Sequence, residues 1–247
     1  MDRLVHTALS AMRSAMLRQT STAHNLANVN TAGFRADMSV AQSMWLNGPG
    51  LDSRAFSSQE VLGADMTAGR IVETGRALDV ALYGDAVLTV QASDGQEAYT
   101  RRGDLQVAEN GLLTTGDGHP LIGQQGPITL PPAESTRIDE AGAIWIVPPG
   151  GDPNTPQLVD RMKLASPRGS DVVKGTDNLL RVRDGGVLPA AVNGRLVSGS
   201  IEAANITATD ALVDMIEASR SWDTQMKLIT TARDLAAASS ELMRLPS

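Results

Sequence analysis

Five aspartates, Asp79, Asp85, Asp94, Asp104 and Asp117, crowd the middle of the chain. Two carboxylates facing each other across a cleft lined with aromatic rings would suit glycoside hydrolysis. Aromatic residues make up only 3% of the chain, and most of these aspartates stand at turn positions, so the lined cleft is missing. His6 and His24 lie 18 residues apart, which is about five turns at roughly 3.6 residues each. They share a helix face but are too distant to ligate one metal, and a surface or contact role suits them. His119 sits beside a turn with no Cys and no paired His. With no Cys in the chain, disulfides and thiolate metal sites are excluded, which also suits an oxidising compartment. Arg102-Gly103-Asp104 spells an integrin-binding tripeptide, but a hairpin turn with flanking charges accounts for it. There is no phosphate loop, Ser-His-Asp order or zinc motif. The residues therefore nominate no catalytic, cofactor-binding or metal site.

The elements that would have to position any site divide the chain in three. Hydrophobic residues are 42% of the 247, enough for one large or two small domains with an aliphatic core. Met1 to about Asn28 lacks Gly and Pro. Val5, Leu9, Met12, Met16, Ala23 and Leu26 follow a heptad, with Gln19 in the one missing place, and predict a coiled-coil-like helix. From about Thr207 to Leu245, Met215, Trp222, Ile229, Ala236 and Met243 recur every seven residues, and Leu228, Leu235 and Leu242 make a second such line. That apolar face is wide enough for more than one neighbour, and Met226 lies on the same helix. Asn205, Thr207 and Thr209 offer capping oxygens at its start.

Between the helices, Asp94-Gly95, Asn110-Gly111, Asp117-Gly118, Asp184-Gly185 and Asn193-Gly194 read as hairpin signals. Short apolar runs stand around them: Leu78–Leu82, Val87–Val90, Gly111–Leu113, Ile144–Val147 and Leu179–Val182. The predicted fold is α+β: long N- and C-terminal helices packing as a coiled-coil-like pair, with an inserted all-β domain of short antiparallel strands. The boundaries read as 1–34 plus 200–247 for a discontinuous helical domain, 35–66 for an extended linking segment, and 67–199 for the β domain. Ala36–Leu46 could also be helical, broken by Asn47-Gly48-Pro49-Gly50. Residues 148–156, rich in Pro and Gly, form a loop that cannot be a central strand. Heptads at both ends around a β insert suggest a filament or tube subunit. Met12, Met16, Met215, Met226 and Met243 form a methionine-rich stripe that serves core or interface packing equally well.

The net charge of −7, from 21 Lys+Arg against 28 Asp+Glu, argues against nucleic acid as a partner. No stretch approaches the roughly 20 apolar residues that span a bilayer. Arg3, His6, Arg13 and Arg18 interrupt any signal-peptide core. Ordinary secretion logic then gives a soluble cytoplasmic protein, unless a dedicated export machine reads the chain.

One string carries more than its physics. Asn25-Leu26-Ala27-Asn28-Val29-Asn30-Thr31-Ala32-Gly33-Phe34 reads as a helix end, where Asn28 and Asn30 tolerate unusual backbone angles, Gly33 allows positive φ and Phe34 folds back onto the helix. With Arg35 after it, this string closely resembles the signature of flagellar rod and hook proteins, matching at Asn25, Leu26, Ala27, Asn28, Asn30, Thr31, Gly33 and Phe34. Leu78-Asp79-Val80-Ala81, Gly84-Asp85, Tyr99-Thr100-Arg101-Arg102-Gly103-Asp104 and Gly111-Leu112-Leu113-Thr114 are similar to that family's central β region. Val197 to Ile206 resembles its entry into the C-terminal helix, and Met215, Ile216, Arg220, Trp222, Lys227 and Thr230 suit that helix. The opening residues, Met1 to Met12, look most like a proximal-rod member; a distal-rod or short hook-type member is the alternative. Asp85-Ala86-Val87-Leu88 departs from the Asp-Gly-Phe-Phe often found there.

The resemblance implies a non-enzymatic, cofactor-free rod subunit in the basal body, in a tube that crosses the periplasm. It implies export by the flagellar export apparatus without a cleaved signal peptide and no membrane insertion. The implied partners are other proximal and distal rod subunits and copies of the chain itself. Assembly contacts would be made by Val5, Leu9, Met12, Met16, Leu26, Met215, Trp222, Met226, Ile229, Ala236 and Met243. A secreted β-rich carbohydrate-binding or hydrolytic domain with helical arms is the rival from another class.

Overall fold

A computed structural model of the chain describes residues 2–45 and 55–242. The fold is α+β, with one long helix at each end of the chain and many short antiparallel strands between them. Two compact units emerge. A helical unit takes the described parts of Met1–Ala27, Asp37–Leu62 and Thr207–Ser247; a β unit takes Asn28–Ala36 and Gly63–Ile206. Residues 28–34 and 200–206, which the sequence reading grouped with the helices, thus fold with the β unit. The cause is pairing: Ser200–Glu202 is a strand bonded antiparallel to Ile71–Glu73.

In the helical unit, α1 (Asp2–Ala27) and α2 (Ala208–Leu242) pack against each other. The Thr207 hydroxyl accepts the Asp210 N–H at 3.2 Å, an N-cap for α2, and donates to the Asp210 carboxylate at 2.6 Å. Residues 37–45 are not helical. Asp37–Trp45 is a strand paired with Ala55–Ala64 in a two-stranded sheet. Met38, Val40 and Met44 fall on one side of a two-residue alternation that Gln42 interrupts, the strand rhythm that competes with the helix reading. The break expected at Asn47-Gly48-Pro49-Gly50 lies outside the described residues.

The β unit is built around a five-stranded sheet in the order Leu164–Ala165, Val87–Gln91, Glu97–Thr100, Leu180–Val182 and Val172–Lys174. Asp94-Gly95 turns the central hairpin, setting Gln91 opposite Glu97, with Gly95 at φ +80°. Asn110-Gly111 turns a second, setting Val107 opposite Leu113. Asp184-Gly185 and Asn193-Gly194 instead close local turns, onto Val182 and Ala191. A hairpin with no Asp-Gly or Asn-Gly signal pairs Ser135–Ile138 with Ala143–Val147. There the Asp139 carboxylate accepts the N–H groups of Ala141 and Ala143, each at 2.9 Å, and the Trp145 indole N–H at 3.2 Å. Residues 148–156 link that sheet's central strand to its edge strand Gln157–Arg161.

The core is aliphatic, as so few aromatics require: Val80, Leu88, Val90, Leu105, Leu113, Leu121 and Ile144 are fully buried. Ala86, Val87 and Leu88 are all buried, so small aliphatic side chains fill this stretch of the core. Arg102-Gly103-Asp104 is not a hairpin turn. The Gly103 carbonyl accepts the Val80 N–H at 2.9 Å, and Asp104 bridges Asp79. A Cβ on Gly103 would stand 1.8 Å from the Val80 carbonyl oxygen, a backbone approach only glycine permits.

Tyr99, with no exposed surface, anchors a second cluster with Val87, Ala165, Leu180 and Leu188. Its hydroxyl donates to Glu97 at 2.8 Å and accepts the Leu188 N–H at 2.7 Å. Burial is the main cause that pushes its pKa up to about 12; the bond from Leu188 opposes this and Glu97 adds to it. A raised folded value means the stabilisation is complete below the unfolded pKa of about 10 and fades as pH climbs toward about 12. Thermal melts of the wild type should therefore lose stability over that alkaline window. Tyr99→Phe should melt lower at pH 7 and lose less on passing from pH 9 to pH 12. Parallel curves for the two proteins would contradict this assignment.

Candidate functional site

The segment after α1 holds a dense set of fixed polar contacts. In the helical unit the Asn25 side chain brackets Asp37: its Oδ1 accepts the Asp37 N–H at 2.8 Å and its Nδ2 donates to the Asp37 carbonyl at 3.3 Å. His24 Nδ1 stands 2.6 Å from the Asp37 carboxylate. In the β unit Asn28 accepts from Thr31, through its carbonyl at 2.9 Å and its Oδ1 at 3.3 Å, and Asn178 Nδ2 reaches the same Oδ1 at 3.3 Å. Gly33 has φ +64°, and a Cβ there would lie 2.2 Å from the Arg101 carbonyl oxygen. The Lys174 ammonium lies 3.8 Å over the centroid of the Phe34 ring and donates to the Arg35 carbonyl at 2.7 Å. Leu26 is half-buried, while Ala27 and Asn30 are exposed.

Next to this segment lies a buried ion cluster. Glu202 is 1% exposed, Arg101 3% and Arg35 4%. Glu202 Oε1 accepts from Arg35 Nη2 and from the Gly69 N–H, each at 2.7 Å. Its Oε2 accepts from Arg101 Nε at 2.7 Å and Nη2 at 2.5 Å. Arg101 also donates to the carbonyls of Leu82, Gly84 and Ala86 at 2.6–2.8 Å. Burial pushes the Arg101 guanidinium below its usual value; the charge and hydrogen bonds of Glu202 pull it back, and Arg35 lowers it further. Asn205 Oδ1 accepts the Ala36 N–H at 2.8 Å, and its Nδ2 donates to the Asp65 carbonyl at 2.8 Å. The β unit thereby pins residues 33–36, 65–69 and 202–205 side by side. Local sequence patterns assign Arg101 and Glu202 no role and Asn205 only a cap. A charge inside the strand Ser200-Ile201-Glu202 was the available signal.

The helix faces depart from the expected seam on α1. Met12 and Leu26 are half-buried, but Leu9 is 42% exposed and Met16 60%. Among the described residues, those α1 buries are Ser14, Ala15, Ser21 and Asn25. Small side chains allow closer approach of helix axes than Leu or Met would, so the small-residue line faces inward and the bulkier line outward. On α2, Ala211 and Ala218 are buried, and Met215, Trp222 and Ile229 are half-buried on the same heptad. Met226, Leu228 and Leu235 are 40%, 56% and 61% exposed. The side chains of Val5 and Ala236, and Met243 altogether, lie outside the described residues. Among the described residues no group of three His, Asp or Glu could hold a metal, and no helix is long and apolar enough to cross a membrane. Arg102 of the Arg-Gly-Asp tripeptide is held by Asp104 at 2.7 Å and Asp117 at 2.5 Å.

Comparison with known proteins gives a consistent set of relatives. Residues 81–146 match the family model "Flagellar hook protein FlgE/F/G D1 domain", and residues 197–242 match "Flagellar basal body rod FlgEFG protein C-terminal". The chain is 39% identical to the flagellar basal-body rod protein FlgF of Salmonella typhimurium, over 99% of this chain and 100% of that protein. It is equally similar, 39% over the same shares, to FlgF of Escherichia coli. To the rod protein FlgG of Bacillus subtilis it is 29% identical, over 95% of this chain and 97% of that one.

The ion cluster yields a direct test. Glu202→Gln leaves two buried guanidinium groups without a counter-charge, which should cost on the order of 3–5 kcal/mol in urea unfolding. Gly33→Ala places a side chain in left-handed backbone, costing about 1–2 kcal/mol before its collision with Arg101 is counted. A change under about 0.5 kcal/mol in either variant, the range of neutral surface substitutions, would show that the cluster does not hold the β unit.

Proposed function

The chain belongs to the flagellar basal-body rod protein family, and from that premise we propose that this rod subunit builds the proximal part of the rod through its two terminal helices. Its standing as a structural rod subunit of the flagellum follows from the full-length similarity to FlgF proteins. The proximal position is favoured over the distal one by 39% identity to FlgF against 29% to FlgG. The observation that carries the assembly reading is the apolar surface α1 and α2 leave uncovered: Leu9 and Met16 on one, Met226, Leu228 and Leu235 on the other. Exposed apolar residues ordered along a helix mark a surface for protein contact.

In this reading the helices of adjoining subunits pack as a coiled coil and close a tube, so that the rod acts as a drive shaft. Val5, Leu9, Met12, Met16 and Leu26 on α1 meet neighbours together with Met215, Trp222, Met226, Ile229, Ala236 and Met243 on α2. The neighbours are copies of this chain and other proximal and distal rod subunits. The subunit reaches the periplasm through the flagellar export apparatus with no signal peptide removed. It performs no catalysis and takes no cofactor. The β unit, with its own core, serves as a rigid body on that tube.

Met16→Asp and Leu235→Asp separate assembly from folding. Both positions are more than half exposed, so each variant should melt within about 0.5 kcal/mol of wild type. Each should fail to restore motility to cells lacking the gene, and the variant subunit should be absent from purified basal bodies. Normal swimming by both variants would refute the helix faces as assembly surfaces.

A further inference from the structure

An Asn-Gly pair is a chemically weak point in any chain. Glycine has no side chain to keep its main-chain nitrogen away from the amide carbon of the asparagine before it. The chain has three such pairs. Asn47-Gly48 lies outside the described residues. Asn110-Gly111 and Asn193-Gly194 each stand in a turn closed by the glycine N–H, which donates to the Ala108 carbonyl at 2.8 Å in one and to the Ala191 carbonyl at 3.2 Å in the other.

The two turns differ in what surrounds that bond. Asn110 is held in place. Its Oδ1 accepts the Leu112 N–H at 3.1 Å, the Ala108 N–H donates to the Leu112 carbonyl at 2.8 Å, and the Gly111 carbonyl accepts the Leu130 N–H at 2.8 Å. Bringing the Gly111 nitrogen onto the Asn110 amide carbon means releasing Ala108 and Leu112 at once, and such local openings of bonded structure are infrequent. Asn193 is exposed, and among the described residues nothing hydrogen-bonds its side chain. Val192, just before it, is 95% exposed. Firm anchors lie on either side, where the Ala191 N–H donates to the Leu164 carbonyl and the Arg195 carbonyl accepts the Tyr83 N–H, each at 2.9 Å.

We propose that Asn193 is a site of spontaneous deamidation in the folded protein. The Gly194 nitrogen attacks Asn193 Cγ, the Cγ–Nδ2 bond breaks, and Nδ2 leaves as ammonia with the proton from Gly194. Water then adds to either carbonyl carbon of the resulting succinimide and opens it to aspartate or isoaspartate. Nothing is oxidised or reduced, and water is the co-reactant. The product puts a carboxylate into the wall of a cleft of about 400 Å³, which Asn193 shares with Tyr83, Asp85, Pro189 and Val192. Isoaspartate also lengthens the main chain between the anchors at Ala191 and Arg195.

The purified full chain, aged at neutral pH either folded or in urea, tests this site. Trypsin cleavage after Arg102, Arg137, Arg183 and Arg195 puts Asn110 and Asn193 on separate peptides, each with no other asparagine. Mass spectrometry reads the conversion of amide to acid against an unaged sample. In the folded protein Asn193 should convert at least about tenfold faster than Asn110, a ratio equal to about 1.4 kcal/mol and within what the added hydrogen bonds at Asn110 impose. In urea the two rates should converge. Asn193→Gln should abolish conversion in the peptide 184–195. A smaller ratio in the folded protein, a ratio equally large in urea, or conversion that survives in Asn193→Gln overturns the site.

Discussion

Glu202 sits where the β unit can least tolerate an unpaired charge, and several chain segments take their positions from it. Removing a carboxylate and two guanidinium groups from water costs several kcal/mol per ion, recovered only when the geometry is close to ideal. Here each carboxylate oxygen has two donors. Arg101 spends its remaining donor capacity on three main-chain carbonyls, which fixes the backbone between Leu82 and Ala86. Gly33 donates its N–H to the Glu202 carbonyl at 2.6 Å, and its missing side chain makes room for the Arg101 backbone. Asn205 then holds Ala36 and Asp65 together three residues further on. Polar groups without alternatives in a dry interior impose one arrangement, and residues 33–36, 65–69 and 202–205 share it.

The helical unit follows a different logic. Among the described residues its fully buried positions are mostly small, Ser14, Ala15 and Ser21 on α1 and Ala211 and Ala218 on α2. Such positions release little hydrophobic free energy, since burial scales with apolar area. The larger side chains, Leu9, Met16, Leu228 and Leu235, remain uncovered. A single chain thus holds back much of the apolar surface its sequence encodes. That division is what the proposed assembly through the helices requires. The aliphatic β unit needs no such help: its core residues are fully buried within one chain, and Tyr99 meets two hydrogen-bond partners inside it.

Much of this was legible from residues alone. Helical ends free of Gly and Pro, and the hairpins at Asp94-Gly95 and Asn110-Gly111, follow from local rules that leave a short segment few options. The string from Asn25 to Phe34 was recognisable as a unit and pointed to the family. Less legible was the segment after it, where Met38, Val40 and Met44 mark a strand but the surrounding composition also suits a helix. The hairpin at Asp139 was missed because its turn is held by side-chain acceptance of backbone N–H groups, not by an Asn-Gly or Asp-Gly pair.

Sequence by itself determined the ends, the turns, the absence of thiol chemistry and the family, because each depends on neighbouring residues or on an ordered string. Which face of α1 turns inward was decided only by tertiary structure. A heptad is satisfied equally by the Leu9–Met16 line and by the Ser14–Ser21 line, and only a second helix with alanines at its contact positions selects the smaller one. The pairing of Glu202 with Arg35 and Arg101 was also hidden. It joins residues 101 and 167 positions apart, and no local rule says which of many charges will meet in the interior. The free energy that makes such a meeting necessary exists only once folding has removed the water.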